Sequence, residues 1–307
     1  MPSLRTAAIR GLIALSVAAA LAAPAAAQEL TGTLKKIKDS GTIVLGHRDA
    51  SIPFSYFDDK QAAIGYALDL CGKIVEAVKF ELKMPNLQVK LNPVTSATRI
   101  PLMANGTIDL ECGSTTNNLE RQKQVAFTIT HFVTATRFVS KKASNVKTLQ
   151  DLKGKQIVST SGTTNLKLIT ELNGQQNLGM NILAAKDHAE AFLMVDTGRA
   201  AAFFMDDILL YSLVATSKAP PEWVISDEPL SIEPYGIMLR RDDPAFKKVV
   251  DSAMIATYRS GEIHKIYEKW FLKPIPPKNV NLNVPMSASF KKVTTSPTDS
   301  GDPNSYK

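Results

Sequence analysis

Strand-like runs and helical patterns alternate along this sequence from about residue 42 to residue 271, and that alternation restricts the fold more than any other feature. Short β-branched or apolar runs separated by amphipathic stretches give sheets with crossover helices, an α/β architecture. A first block reads as a strand at 42–46, a loop through Pro53, and a helix over 67–80 that offers Leu68, Ile74, Val75 and Val78 to one face. A strand at 88–94, a short helix at 97–105 stopped by Asn105-Gly106 and a strand at 108–112 complete it. A polar loop follows over 113–122, with a helical turn starting at 117–121, and the β-branched run 131–139 reads as an extended connection.

The alternation then restarts. Helices are expected at 148–152, from Asn165, at 189–197 and at 207–216, with strands at 156–159, 181–185, 200–205 and 223–226. A last strand at 235–239 leads into helices over 244–260 and 262–271, and the proline-rich run 273–278 ends helical structure. Two blocks are thus joined by two extended crossings, near 133–138 and 234–238, a connectivity that permits hinge motion. The resulting division is a discontinuous first lobe of 28–134 with 237–285, a second lobe of 135–236, and a polar C-terminal tail of 286–307 expected to be flexible. Nothing in the pattern demands more than a monomer.

The first 27 residues have the layout of a cleavable export signal. Arg5 and Arg10 precede an apolar stretch over 11–23, and Ala25-Ala26-Ala27 supplies small residues ahead of Gln28. The apolar stretch is too short to span a bilayer. Cleavage would remove two arginines and no acidic residue, lowering the net charge from +7 to +5 and leaving a soluble protein outside the cytoplasm. In an oxidising compartment Cys71, in a helix, and Cys112, ending a strand, could form one bridge; the alternative is two buried free thiols.

Positive charge is spread along the chain, which favours a small acidic ligand over nucleic acid. No GxSxG, HExxH, GxxxxGK[ST] or GxGxxG pattern is present, and His47, His131, His188 and His264 lack metal-ligand spacing, so no metal and no cofactor is expected. Polar loops after several strands point instead to a binding cleft at the carboxyl ends of the sheets.

Several of these segments carry a resemblance. Residues 44–56 (VLGHRDASIPFSY) and 64–71 (IGYALDLC) resemble the periplasmic solute-binding proteins of ABC importers for polar amino acids. Residues 95–102 (TSATRIPL), 109–118 (DLECGSTTNN), 161–164 (SGTT), 185–188 (AKDH) and 204–207 (FMDD) are similar to the glutamate/aspartate-binding branch, and the likeness runs from about Leu30 to Val284.

The resemblance implies a two-lobed, type II periplasmic-binding-protein fold that closes over an amino acid and presents it to membrane permease subunits of an ABC importer. Arg99 then corresponds to the clamp for the ligand's α-carboxylate, where the guanidinium fork suits a bidentate pair. Thr163 and Thr164, at a helix start, would add donors to the same group. Asp206, with Ser114 and Thr116, would receive the ammonium; Asp207 reads as the N-cap of the following helix. Arg48 and His188, with Ser96, would receive the side-chain carboxylate, and a carboxylate beside His188 would hold its proton more tightly. Two arginines against one aspartate suit L-glutamate or L-aspartate; which of the two is preferred depends on cavity depth. Two other classes fit the same fold: a dehydratase-like enzyme acting on small carboxylates, for which Glu111 is the acidic candidate, and a ligand-sensing module.

Overall fold

The computed structural model describes residues 30–307; the expected export signal, 1–27, lies outside the described residues. Helix α1 (Gly32–Ser40), which the pattern above did not reveal, leads into β1 (Thr42–His47). The loop expected through Pro53 is a small antiparallel sheet of β2 (Ala50–Ser51), β3 (Ser55–Phe57) and β4 (Ala63–Ile64). Helix α2 (Tyr66–Leu82) buries Tyr66, Leu70, Ile74, Val75 and Val78, the spacing of one helical stripe. Leu68 sits off that stripe and is only half-buried.

After α2 come β5 (Gln88–Pro93), α3 (Arg99–Ala104), β6 (Leu110–Glu111) and β7 (Val125–Phe127). Strand β8 (Phe132–Thr134) is followed at once by β9 (Thr136–Lys141), which belongs to a different sheet. That sheet is completed by β10 (Gln156–Thr160), α4 (Thr164–Gln175), β11 (Asn181–Ala185) and α5 (His188–Asp196), then β12 (Phe203–Asp206), α6 (Asp207–Thr216) and β13 (Trp223–Ile225). The chain returns through β14 (Glu233–Tyr235) to β15 (Met238–Arg240), so the single strand expected at 235–239 is two, broken at Gly236-Ile237.

Two five-stranded sheets result, in the orders β5-β1-β6-β15-β7 and β11-β10-β12-β9-β13. Each has a parallel core, β1 between β5 and β6 and β10 between β11 and β12, with antiparallel strands added at one side. The fold is therefore mixed α/β with two sheet-containing lobes. Its two chain passages, β8 and β14, pair antiparallel through Phe132 with Tyr235 and Thr134 with Glu233. Each lobe has its own core: Met103, Ile108, Val125 and Met238 in one, Ile157, Ile169, Leu178 and Phe204 in the other. Burial of apolar surface at roughly 25 cal/mol per Å² stabilises each lobe separately and leaves the two passages as the pivot.

Helices α7 (Pro244–Arg259) and α8 (Glu262–Tyr267) close the first lobe, followed by β16 (Pro274–Ile275) and β17 (Val280–Asn281). The tail expected to be flexible is docked instead. Helix α9 (Ala288–Thr295), capped by the Ser287 hydroxyl, buries Phe290 and Val293, and Phe290 meets the rings of Phe132, Tyr258 and Tyr267. Buried Tyr306 shares a 2.7 Å hydrogen bond with the Thr130 hydroxyl, and the Thr298 carbonyl accepts the Thr130 amide at 2.8 Å. The composition of the tail is polar, but these few apolar side chains fall where one face can insert into an aromatic cluster. That pairing is invisible without the cluster.

Cys71 of α2 and Cys112, the residue after β6, form a disulfide spanning 41 residues, with Cα atoms 6.2 Å apart. Closing a loop of that length removes unfolded-state entropy corresponding to about 4 kcal/mol. Reduction and alkylation of the folded protein is expected to lower its stability by about 2–4 kcal/mol in urea titrations. Recovery of two alkylated cysteines without prior reduction would show that no bridge forms.

Candidate functional site

The segments that follow the central strands converge on one cavity holding about 200 Å³ of space free of atoms. The chain leaving β6 brings Ser114 and Thr116, the chain leaving β10 brings Thr163 and Thr164, α5 begins with His188, and β12 ends in Asp206. Together with Ser96 and Arg99 these are eight of the nine residues singled out from the sequence, and all eight line the cavity; Asn165, Met205 and Leu209 complete it. Arg48, the ninth, is buried but does not line it. The hollow is tight: the room in it for the centre of a water molecule is only about 10 Å³. A larger hollow behind β8, open to solvent, is mostly apolar, and its cation Arg137 already meets Asp207 at 3.4 Å.

The polar groups around the cavity are left incomplete by the chain. Arg48 Nη1, Arg99 Nε, Ser96 Oγ, Ser114 Oγ and His188 Nε2 are buried and have no hydrogen-bond partner among the described residues. Leaving a buried donor unpaired costs about 1–3 kcal/mol each, more for a charged group. Five such atoms from one neighbourhood are the signature of a missing ligand rather than of chance. Arg99 is held on its other side, its Nη1 donating to the Ser114 carbonyl at 3.2 Å and to Thr115 Oγ1 at 2.5 Å.

Burial lowers the Arg48 guanidinium to about 10, with Arg99 adding to the effect and Glu111 opposing it. Arg99 is lowered for the same first reason. Within the chain itself, burial first, then Arg48 and Arg99, push His188 well below its ordinary value. The nearest charges the chain itself provides are cations. Its Nδ1 lies 2.9 Å from Thr160 Oγ1. Thr163, expected to be a ligand donor, has its hydroxyl engaged as the α4 cap, donating to the Thr160 carbonyl and accepting from Leu166 N–H. Thr164 Oγ1 donates to Glu233 at 2.9 Å.

The acidic side centres on Asp206, which accepts hydrogen bonds from Asn165 Nδ2 at 2.7 Å and from the Tyr235 hydroxyl. Burial, then the nearby Glu233, raises its carboxyl to about 7. Asp206 itself stands at the N-cap position of α6, while Asp207, expected there, is the first helical residue and pairs with Arg137. The side chain of Asp206 makes no capping bond because it turns inward to Asn165 and Tyr235.

In the sequence Arg121 is only part of a polar turn. It is buried, and its two Nη atoms donate to the Thr116 carbonyl at 2.8 Å and to the Gly162 carbonyl at 3.1 Å, joining segments of the two sheets. The sole sequence hint is Asn118, whose side chain accepts the Arg121 amide; that fixes the turn without fixing the direction of the arginine. The same segments approach closely at Gly162, where a side chain would meet the Ala97 backbone at 2.6 Å and where φ is +76°. Lys167 and Glu120 pair across the outer edge of this contact.

Comparison with known proteins places the chain in a family. Residues 43–273 match the family described as bacterial extracellular solute-binding proteins, family 3. An L-glutamate/L-aspartate-binding protein of Pseudomonas aeruginosa is 59% identical over 284 residues, 92% of this chain and 94% of the relative. A glutamate/aspartate import solute-binding protein of Escherichia coli is 50% identical over 289 residues, 94% of this chain and 96% of the relative. Among solved structures, an ancestral arginine-binding protein bound to arginine superposes with a TM-score of 0.68 at 28% identity, covering 75% of this chain and 98% of its own.

The buried Asp206 supplies a test independent of any ligand. A carboxyl raised from 3.8 to about 7 binds protons more tightly folded than unfolded, so its contribution to stability falls as pH rises from about 4 to 7. Asp206→Asn is expected to unfold at a higher temperature than the wild type above pH 7, with the difference closing toward pH 4. Equal or lower melting temperatures for the variant at pH 8 would contradict the raised value.

Proposed function

The chain belongs to family 3 of the bacterial extracellular solute-binding proteins, and from that premise we propose that it captures L-glutamate or L-aspartate between its lobes for delivery to an ABC importer. It acts by binding rather than by turnover, as do the relatives that share half or more of its residues. The observation that carries the ligand assignment is the set of five unpaired buried polar atoms, two of them on arginines, set against one inward-facing aspartate. A dicarboxylic amino acid supplies two anions and one cation to that set. The same fold holds arginine in a solved relative, so the scaffold does not choose the ligand; the charges in the cleft do.

In the proposed pose Arg99 is central, since it acts electrostatically on Arg48, Arg121 and His188 and is itself affected by Asp206. Its unpaired Nε edge receives one carboxylate, beside the amides that begin α4 at Thr164 and Asn165. Arg48, Ser96 and His188 receive the other; with the Thr160 hydroxyl donating to Nδ1, the neutral imidazole carries its proton on Nε2 and donates it. The ammonium lies against Asp206, with oxygens from Ser114 and Thr116. Neutral glutamine would leave a desolvated cation without its anion, a loss of several kcal/mol.

We assign 28–134 with 237–285 to one lobe and 135–236 to the other, pivoting on β8 and β14. A ligand that touches both lobes only when they meet shifts the population toward closure. Membership of an extracellular solute-binding family supports a location outside the cytoplasm, and residues 1–27 are read as the signal that exports a monomeric protein.

Isothermal titration is expected to show glutamate and aspartate binding at least about a hundredfold more tightly than glutamine or arginine. A preference for glutamine or arginine would refute the dicarboxylate reading. Arg99→Ala is expected to weaken glutamate binding at least about thirtyfold, and unchanged affinity would remove Arg99 from the site. Gly162→Ala is expected to cost about 1–2 kcal/mol of stability for its left-handed backbone and to weaken glutamate, because its Cβ would hold the lobes apart at Ala97. Scattering that shows the same ligand-induced compaction as wild type would contradict that role.

A further inference from the structure

Glu111 ends strand β6 beneath the cavity and is fully buried, yet it neither lines the cavity nor forms an ion pair with a described side chain. Its Oε2 accepts from Thr115 Oγ1 at 2.5 Å, and that same hydroxyl accepts from Arg99 Nη1 at 2.5 Å, giving a relay from Arg99 through Thr115 to Glu111. Its other oxygen, Oε1, has no hydrogen-bond partner among the described residues. A side chain on Gly113 would stand 2.3 Å from that oxygen and 3.0 Å from Arg48 Cγ, so the carboxylate and the Arg48 stem flank one glycine. Arg48 and Arg99 repel one another, and Glu111 is the largest favourable charge acting on either. The other anions are more remote in effect: Asp49 is mostly exposed and faces His47, and Asp206 is engaged by Asn165 and Tyr235.

We propose that Glu111 sets the charge of the site: held in place by its hydrogen bond from Thr115, it neutralises one of the two buried arginines that have unpaired donors and leaves one net positive charge for the second carboxylate of the ligand. Glu111 is thus a positioning and specificity-determining residue that never touches the ligand. Two buried guanidiniums without any counter-ion would destabilise the ligand-free protein. Two counter-ions would cancel the attraction for a ligand carrying one more negative than positive charge. One shared carboxylate lets the arginines remain buried while one of them still demands an anion. This inference rests on the glutamate/aspartate reading for its ligand arm and is independent of it for its stability arm.

The ligand-free arm uses the purified full-length mature protein as Glu111→Gln and as the charge-restored double variant Glu111→Gln/Arg48→Gln. The single variant keeps an acceptor for Thr115 and is expected to lower the melting temperature or to prevent folding. The double variant is expected to recover most of that loss. A double variant no more stable than the single one overturns the proposal, since a purely steric role for Glu111 would not be rescued by removing a cation.

The ligand arm measures glutamate and glutamine affinities for wild type and Glu111→Gln. Loss of the buried negative charge is expected to raise the glutamate-to-glutamine affinity ratio at least about tenfold and to enlarge the glutamate-induced rise in melting temperature. A ratio unchanged or lowered overturns the proposal. A wild type that prefers glutamine would instead refute the ligand reading and leave the rescue experiment as the test of Glu111. Should the single variant not fold, Thr115→Val, which breaks the relay and keeps the charge, is expected to weaken glutamate while leaving the selectivity ratio within about threefold; a collapse of that ratio also overturns the proposal.

Discussion

Burial of arginines without directly paired carboxylates is the constraint on which the rest of this structure depends. Arg48, Arg99 and Arg121 are each removed from water, and each is lowered by that burial before any other cause. A desolvated guanidinium is tolerated only where hydrogen bonds and nearby anions compensate it. The chain supplies part of that compensation: carbonyls of Ser114, Thr116 and Gly162, the hydroxyl of Thr115, and the charges of Glu111 and Asp206. Arg48 Nη1 and Arg99 Nε keep no partner among the described residues, and in the proposed pose the ligand's carboxylates supply it.

The framework around the deficit is correspondingly stiff on one side and jointed on the other. The disulfide from α2 to the residue after β6 anchors the segment that carries Glu111, Ser114, Thr115 and Thr116. The tail folds back onto β8 through Phe290 and Tyr306, and the carbonyl of Asp299 accepts hydrogen bonds from Asn117 and Gln122, beside Arg121. Among the described residues β8 and β14 connect the sheets, and they pair with one another, so in the proposed closure they form one hinge. Close packing at Gly162 and the hydrogen bond from Arg121 to the Gly162 carbonyl bring segments of the two sheets together through a few atoms.

Much of the architecture was legible because periodicity reports directly on burial. The apolar stripe of α2 and the β-branched runs of β1 and β10 follow from which face meets the core, and that face repeats locally. Elements with little stripe of their own were missed. Strands β2, β3 and β4 are two or three residues each, β7 is held by its pairing with β15, and α9 depends on an aromatic cluster assembled from distant segments. In the site, Arg48, Arg99, His188 and Asp206 stand out by motif, whereas Arg121 is only the end of a polar turn and Glu111 only the acidic candidate of the enzyme alternative. Nothing local tells a buried arginine from an exposed one.

The sequence by itself determined the alternating elements, the two crossings, the pair of cysteines able to bridge and most of the residues that surround the cavity, because each is encoded in short-range pattern or motif. Only the tertiary structure decided which of those polar atoms are satisfied. It gave Thr163 to a helix cap, turned Asp206 inward, buried His188 in the field of two arginines, and joined Glu111 to Arg99 through Thr115. The physical reason is that desolvation and Coulomb forces act through space, between groups brought together from both sheets, and their balance exists only once the chain has packed.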